Sequence, residues 1–402
     1  MQVENNQITY CTNIHKGEGW KAHFEELKQH VPTIRQQLAP NTAFGLGLRL
    51  SADAAKDLQN KNNLQEFSAW LKEQNVYIST MNGFPYGEFH DTAVKDKVHY
   101  PDWTSRKRVD YTQNLFEVLH KLTPPQTEAG ISTSPLSYRH WHTGDDFPQM
   151  LEKATTHILE IAAFLWKLEE EEGKYFHLDI EPEPDGVLET ADEFIDWYLN
   201  FLIPRGIAFF STQHGIKEEA AEALIKRYIC ICYDICHMAV GYENQEKTIQ
   251  ELRTHQIKIG KVQVSAALKI RLKNRSAEEK KNIQTRLEKF NEPVYLHQVI
   301  ARLDSGALKR YKDLPEALPD LLSKDHQEWR SHFHVPLFTE KIMGLESTQS
   351  DILDLLELHK QKAVSSLFEV ETYTWEVLPK DMQLPIAESI IRELHWLTSN
   401  IV

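Results

Sequence analysis

Apolar and polar residues alternate most cleanly in two short stretches of the chain. In Lys174–Asp185, KYFHLDIEPEPD, Leu178 and Ile180 alternate with Asp179 and Glu181 before two prolines end the run. In Tyr228–His237, YICICYDICH, Ile229, Ile231 and Tyr233 alternate with Cys230, Cys232 and Asp234, and His237 follows. Successive side chains of a strand point to opposite faces. With the apolar set turned outward, Glu181 and Asp234 point together into whatever the strands enclose.

The same period of two predicts strands over Ile8–Ile14, Phe44–Leu50, Val76–Met81, Gly130–Ser134, Ile259–Ser265 and Leu367–Trp375. Apolar residues at helical spacing predict helices over Trp20–Leu38, from Ser51 to Leu58, and over Leu64–Gln74, Arg106–Leu122, Phe147–Glu171, Thr190–Phe201, Glu218–Lys226, Gln245–His255, Ile352–Lys360 and Leu384–Leu397. Ile207–Thr212 reads only as a short apolar segment, and Lys269–Lys289 as a basic, solvated helix. Pro293–Val299 and Trp329–Phe338 look extended, the latter with His332 and His334 on one face. Strand and helix alternate along most of the chain, which implies βα units on a parallel sheet. About eight such strands predict a (β/α)8 TIM barrel, one domain over residues 1–402. The excess over the typical ~250 residues falls in insertions around 83–127 and 266–365. A doubly wound sheet is the alternative, weakened by the lack of G-x-G-x-x-G after the first strand.

Composition narrows the functions. The 402 residues are 41% hydrophobic and 26% charged, as in a soluble globular protein. A formal net charge of −14 argues against nucleic acid as the partner, because phosphate neutralisation needs clustered Lys and Arg. The first residues show no basic n-region and no apolar h-region, and no run is long enough to span a membrane, so the cytoplasm is the expected compartment. Cys11, Cys230, Cys232 and Cys236 read as small buried thiols of a reduced compartment.

A barrel of this type places its active site at the C-terminal ends of its strands. The polar residues there are Asn13, Glu181, Asp234, Gln263 and Glu371, with His237 just beyond. Glu369, Glu371 and Tyr373 share one strand face; Lys261, Gln263 and Ser265 share another. Carboxylates converging on one point repel, and a divalent cation relieves the conflict. An oxygen-rich set with an occasional imidazole suits Mn, Mg, Co or Zn. The expected ligands are Glu181, Asp234, Gln263, His332 and Glu371. Glu181, Glu371 and His237 are the candidates for proton transfer, and Asn13, His334, His297 and Lys261 for holding substrate. Asp234 also reads as an N-cap for the turn ending in His237. The ligand expected is a polyhydroxylated small molecule, whose adjacent hydroxyl and carbonyl a metal can grip.

Glu181 on strand five, Asp234-x-x-His237 on strand six, a polar residue on strand seven and Glu371 on strand eight resemble the xylose-isomerase-like TIM barrels. That superfamily includes sugar isomerases, keto-sugar epimerases and endonuclease-IV-type nucleases, and the resemblance implies a divalent metal on the matching residues. More closely, TYCTNIH (9–15), TMNGFPYGEFH (80–90), ISTSPLSY (131–138), LDIEPEPD (178–185), CYDICH (232–237), GKVQVSAAL (260–268), YLHQ (295–298), HFHVPLF (332–338) and VETYTWEVLP (370–379) resemble the EboE-type metabolite traffic proteins of bacterial ebo clusters. This second resemblance implies handling of a biosynthetic metabolite together with membrane proteins of the same cluster. One departure stands out: where the superfamily offers a histidine on strand seven, this chain has Gln263, a neutral and weaker ligand, so that either His332 or His334 completes the site or the metal is weak or absent. Three readings follow: a metal-dependent isomerase or epimerase, a non-catalytic escort of a metabolite, and a phosphodiesterase of the nuclease type.

Overall fold

The computed structural model describes residues 1–87, 95–124, 128–291, 295–372 and 383–402. Eight parallel strands run Asn6–Tyr10, Phe44–Arg49, Val76–Asn82, Ala129–Thr133, Phe176–Ile180, Ile229–Asp234, Ile259–Val264 and Leu367–Val370. From the second to the eighth, each pairs with the next in chain order, and the eighth pairs with the first. A parallel bridge between Cys11 and Gly47 closes the ring. The expected (β/α)8 barrel is therefore present.

The closure depends on small residues. Thr9 Oγ1 donates to the carbonyl of Gly45 at 2.8 Å, and the backbone N–H of Arg49 donates to Thr12 Oγ1 at 2.9 Å. A Cβ on Gly47 would lie 1.7 Å from Glu369 Oε1 and 2.8 Å from the Tyr10 carbonyl oxygen. Two strands and a buried carboxylate thus meet where only a hydrogen fits.

The outward faces of the strands pack on the helices in one continuous apolar core. The inward faces are polar and stack in layers. Lowest is His177 Nδ1 against Asp179 Oδ1 at 2.6 Å. Above it, Lys261 Nζ donates to Glu369 Oε2 at 2.5 Å and to Ser132 Oγ at 2.9 Å, all three side chains buried. Highest are Glu181, Asp234, Gln263 and Glu371.

Several boundaries differ from the sequence expectation. The insertion expected over 83–127 contains a regular barrel helix, Arg106–Leu122, so the excess there is the loop before it. Ile207–Thr212 lies within a helix, Ile203–His214, which Gly215 ends at φ +68°. A short apolar run has no period long enough to reveal this. The region 266–365 holds an antiparallel six-stranded sheet in the order Leu308–Tyr311, Val299–Leu303, His326–Val335, Ala266–Arg271, Leu345–Ser347, Lys341–Ile342, and then the barrel helix Gln349–Gln361. The basic stretch divides between the strand ending at Arg271 and a helix, Ala277–Leu287, started by a Ser276/Glu279 capping box. Leu367–Trp375 is a strand as far as Val370; residues 373–382 lie outside the described residues.

Gly47→Ala should destabilise the fold by about 1–3 kcal/mol through overpacking against Glu369 and Tyr10, read as a lower urea midpoint at unchanged m-value. An unchanged midpoint would show that this corner of the barrel is loosely packed.

Candidate metal centre at the barrel mouth

Asp234 ends the sixth strand and begins the short helix Ile235–Val240. Its Oδ1 accepts from the His237 backbone N–H at 3.0 Å and from Ser265 Oγ at 2.8 Å. The N-cap leaves a second oxygen available: capping fixes Oδ1, while Oδ2 is buried without a hydrogen-bond partner among the described residues. His237 lies between two carboxylates, its Nε2 3.7 Å from Asp234 Oδ2 and its Nδ1 3.9 Å from Glu181 Oε1. From the far side of the ring, Glu371 Oε1 accepts from Asn13 Nδ2 at 2.6 Å and from Asn82 Nδ2 at 3.2 Å.

The antiparallel sheet supplies the imidazoles. Its long strand leaves register between Ser331 and Val335. Such an irregularity re-aims side chains, and here it turns His332 and His334 to the mouth. His334 Nδ1 lies 2.8 Å from the Glu371 carbonyl oxygen, and His332 Nε2 lies 3.2 Å from His237 Nε2. Asp234, His237 and His334 bring ligand atoms within 4.8 Å of one another, and so do Glu183, His237 and His332.

Burial sets the protonation states. It pushes the Glu181 carboxyl well above the ordinary range, helped by Glu371 and Asp234. Glu183 is raised in the same way, by burial and then by Asp234 and Asp185. Burial also lowers His237, and lowers His332 further with the help of His237 and His334. Each shift disfavours a charge that lacks a counter-charge. Two like charges ~4 Å apart repel by roughly 4 kcal/mol at an effective dielectric near 20.

A divalent cation fits this donor set. Glu181 Oε2, Asp234 Oδ2 and both amide atoms of Gln263 are buried and have no hydrogen-bond partner among the described residues. Buried polar atoms are rarely left so. Carboxylate and amide oxygens with flanking imidazoles are the ligands of Mg, Mn, Co or Zn. Glu181, Asp234, Gln263 and Glu371 would hold such an ion, with His237, His332 and His334 beside it.

Two candidate residues are placed elsewhere. Lys261 lies a layer below, locked between Glu369 and Ser132, and Glu369 holds its ammonium firmly charged. Sequence parity gives a side chain's face but not its height, so Lys261 is a structural counter-ion rather than a substrate contact. His297 packs against Phe333 with ring centroids 4.7 Å apart and the planes tilted by 44°, and its Nδ1 bonds the His332 carbonyl at 3.1 Å. It supports the strand that carries His332 and does not line the cleft.

The cleft above the carboxylates has a second, apolar wall of Phe84, Pro85, Val98 and Leu296. Phe84 and Pro85 belong to the TMNGFPYGEFH stretch (80–90), whose residues 88–90 lie outside the described residues. Four contributors went unread. Asn82 ends the third strand. Glu183 continues the inward parity of Asp179 and Glu181 past Pro182, a signal present in the sequence. Gln298 buttresses His332 at 2.9 Å. His99 is fully buried in the loop before Arg106–Leu122, its Nε2 3.7 Å from Glu183 Oε2. Burial, with Arg108 and then His237, lowers its pKa to about 3. The Arg108 guanidinium pins that loop by donating to the carbonyls of Gly83, Phe84 and Pro101.

All four cysteines are buried and free. No helix among the described residues is long and apolar enough to cross a membrane.

No protein-family model and no curated protein matches the chain, so the metabolite-traffic resemblance gains no support from them. Among solved structures, the chain is similar to the probable 3-DHS dehydratase AsbF involved in petrobactin synthesis from Bacillus anthracis, at 12% identity over 98% of both chains with a TM-score of 0.45. It is similar to the IolI protein with a bound zinc atom, at 10% identity over 98% of both chains with a TM-score of 0.47. It is also similar to a xylose isomerase domain protein from Planctomyces limnophilus, at 12% identity over 98% of this chain and 95% of that one, with a TM-score of 0.43.

Two predictions follow from the electrostatics. Lys261→Met alone strands a buried Glu369 and should cost about 3–5 kcal/mol, whereas Lys261→Met with Glu369→Met should recover most of it; equal losses in the two variants, by urea unfolding, would refute the ion pair's role. The second concerns pH. In metal-free protein the raised Glu181 and Glu183 bind protons that the unfolded chain has released. Their stabilisation is present below the ordinary carboxylate range and is lost as pH rises towards the raised values. A cation replaces those protons, so the gain in Tm on adding Mn(II) should grow from about pH 5 to about pH 8. A gain independent of pH would contradict this site.

Proposed function

We propose that this barrel is a divalent-metal-dependent isomerase or epimerase acting on a small polyhydroxylated carbonyl compound. One observation carries the reading. Glu181, Asp234 and Gln263, at the ends of three neighbouring strands, carry buried side-chain oxygens without a hydrogen-bond partner among the described residues, Glu371 and Asp234 act electrostatically on Glu181, and Asn13 and Asn82 hold Glu371.

When bound, the metal would polarise a carbonyl and acidify the neighbouring hydroxyl and C–H. The chain supplies the rest. Asn13 and Asn82 hold Glu371 Oε1, leaving its other oxygen to take a proton from carbon on one side of the substrate. Glu181 is the second carboxylate positioned to move a proton. His237 keeps its Nδ1–H on the Pro182 carbonyl at 2.9 Å, so its Nε2 faces the cleft as an acceptor for a substrate hydroxyl. The apolar wall of Phe84, Pro85, Val98 and Leu296 excludes water from the opposite side. The similarity to a xylose isomerase domain protein accords with this reading without carrying it.

The test is exchange of substrate C–H for deuterium. Protein loaded with Mn(II) or Co(II) is incubated in D2O with a panel of ketoses, aldoses and inosose-type ketones and followed by NMR. Exchange next to the carbonyl of at least one compound is expected. Glu181→Gln and Glu371→Gln should each lower it by about 10²–10⁴-fold. Exchange that survives both variants, or none with fully metal-loaded protein across the panel, would overturn the proposal.

A further inference from the structure

A second group of metal-ligating side chains lies outside the mouth, where the loop after the first strand meets the first helix. That helix, Trp20–Leu38, buries Trp20, Phe24, Leu27, Val31 and Ile34 in the core. Beside this stripe it carries Glu26 and His30, both half-buried. Residues four apart on a helix are neighbours, and this is the spacing by which a helix offers two ligands to one ion. His15, buried in the loop ahead of the helix, is the third member. Its ring stacks on that of His30, with centroids 5.2 Å apart and planes within 7° of parallel. His15, Glu26 and His30 bring ligand atoms within 4.8 Å of one another.

Distances separate an ion site from an ordinary ion pair. Two ligands about 2.0–2.1 Å from a tetrahedral ion lie about 3.3–3.4 Å apart. Glu26 Oε2 is 3.5 Å from His30 Nε2. That is close to the edge of such a tetrahedron and longer than the ~2.7–2.9 Å of a charge-assisted hydrogen bond. His177 and Asp179, low in the barrel beside Cys230, are the opposite case: 2.6 Å between Nδ1 and Oδ1 is a direct bond with no room for an ion. A Glu–His pair on a helix surface would explain only two of the three side chains, at about 0.3–0.5 kcal/mol. It gives no reason for a second imidazole on the first, since two protonated rings so placed repel. An ion uses both rings as neutral donors. The Tyr10 hydroxyl bonds His15 Nε2 at 2.9 Å and orients that ring, as outer partners of ligating imidazoles do.

We infer that His15, Glu26 and His30 form a peripheral site for a zinc-class d-block ion. Two imidazole nitrogens and one carboxylate oxygen are its donors, and the fourth position is open to water. The site shares no residue with the barrel mouth and does not rest on the isomerase reading. An ion bound there ties the loop after the first strand to the first helix. Tyr10 is a positioning residue: it touches no ion but holds the His15 ring.

The test takes the full chain stripped of metal, titrates it with Zn(II) by calorimetry, and maps the zinc in crystals by anomalous scattering at its absorption edge. A peak is expected about 2.0–2.2 Å from a nitrogen of His15, a nitrogen of His30 and an oxygen of Glu26. His30→Ala should abolish that peak and remove one zinc per chain. Tyr10→Phe should weaken the same zinc by about 10–100-fold. Glu26→Gln, at a half-buried position outside the core stripe, keeps the proposal testable if another variant fails to fold, and should also weaken it. Glu371→Gln should retain this zinc at wild-type affinity. A map with no peak at these three residues, or zinc stoichiometry and affinity unchanged in both His30→Ala and Glu26→Gln, would overturn the proposal and leave a stacked histidine pair beside a surface carboxylate.

Discussion

Everything at the mouth of this barrel depends on one electrostatic constraint: acidic side chains are gathered where water is scarce. Glu181, Glu183 and Glu371 are buried residues lining one cleft, and Asp234 is buried beside its His237. The layer beneath gives only partial relief: Lys261 acts favourably on Glu181 but is paired with Glu369. The carboxylates can take up protons or share a cation. The upward shifts of Glu181 and Glu183 point to the first course in the metal-free chain, and the bare oxygens of Glu181 and Asp234 provide for the second. Asp234 joins the two demands, since its N-cap bond starts a helix and its other oxygen serves the site.

The barrel makes the carboxylate floor, and segments outside the barrel strands make the imidazole roof. An antiparallel sheet loses register at Ser331–Val335, and that local failure of pairing is what delivers His332 and His334. Arg108, a barrel-helix residue, holds the loop bearing His99 through three carbonyl contacts. Gln298 and Pro184 do the same for His332 at longer range. Function here is an assembly of parts each anchored by a hydrogen bond rather than by packing alone.

Period-two alternation made the barrel legible, along with the inward set of Glu181, Asp234, Gln263 and Glu371. Parity is a local property of the strand, so it survives without knowledge of the fold. Height along the barrel axis is not local, and this is why Lys261 reads like Gln263 although it sits a layer lower against Glu369. Glu183 could have been read, since it keeps the parity of Glu181 beyond Pro182. His99 could not: its place depends on a loop tied down by Arg108, and nothing near it in sequence encodes that contact. His297 misleads for the opposite reason, an extended segment whose ring turns to Phe333 and away from the cleft.

The central claim is a divalent centre held by Glu181, Asp234, Gln263 and Glu371. The most direct measurement is an anomalous-difference map from crystals grown with Mn(II), collected near the manganese edge. The account predicts a peak within about 2.0–2.4 Å of an oxygen from each of the four side chains. A map without that peak, with Gln263 Nε2 instead hydrogen-bonded to Glu181, would contradict it.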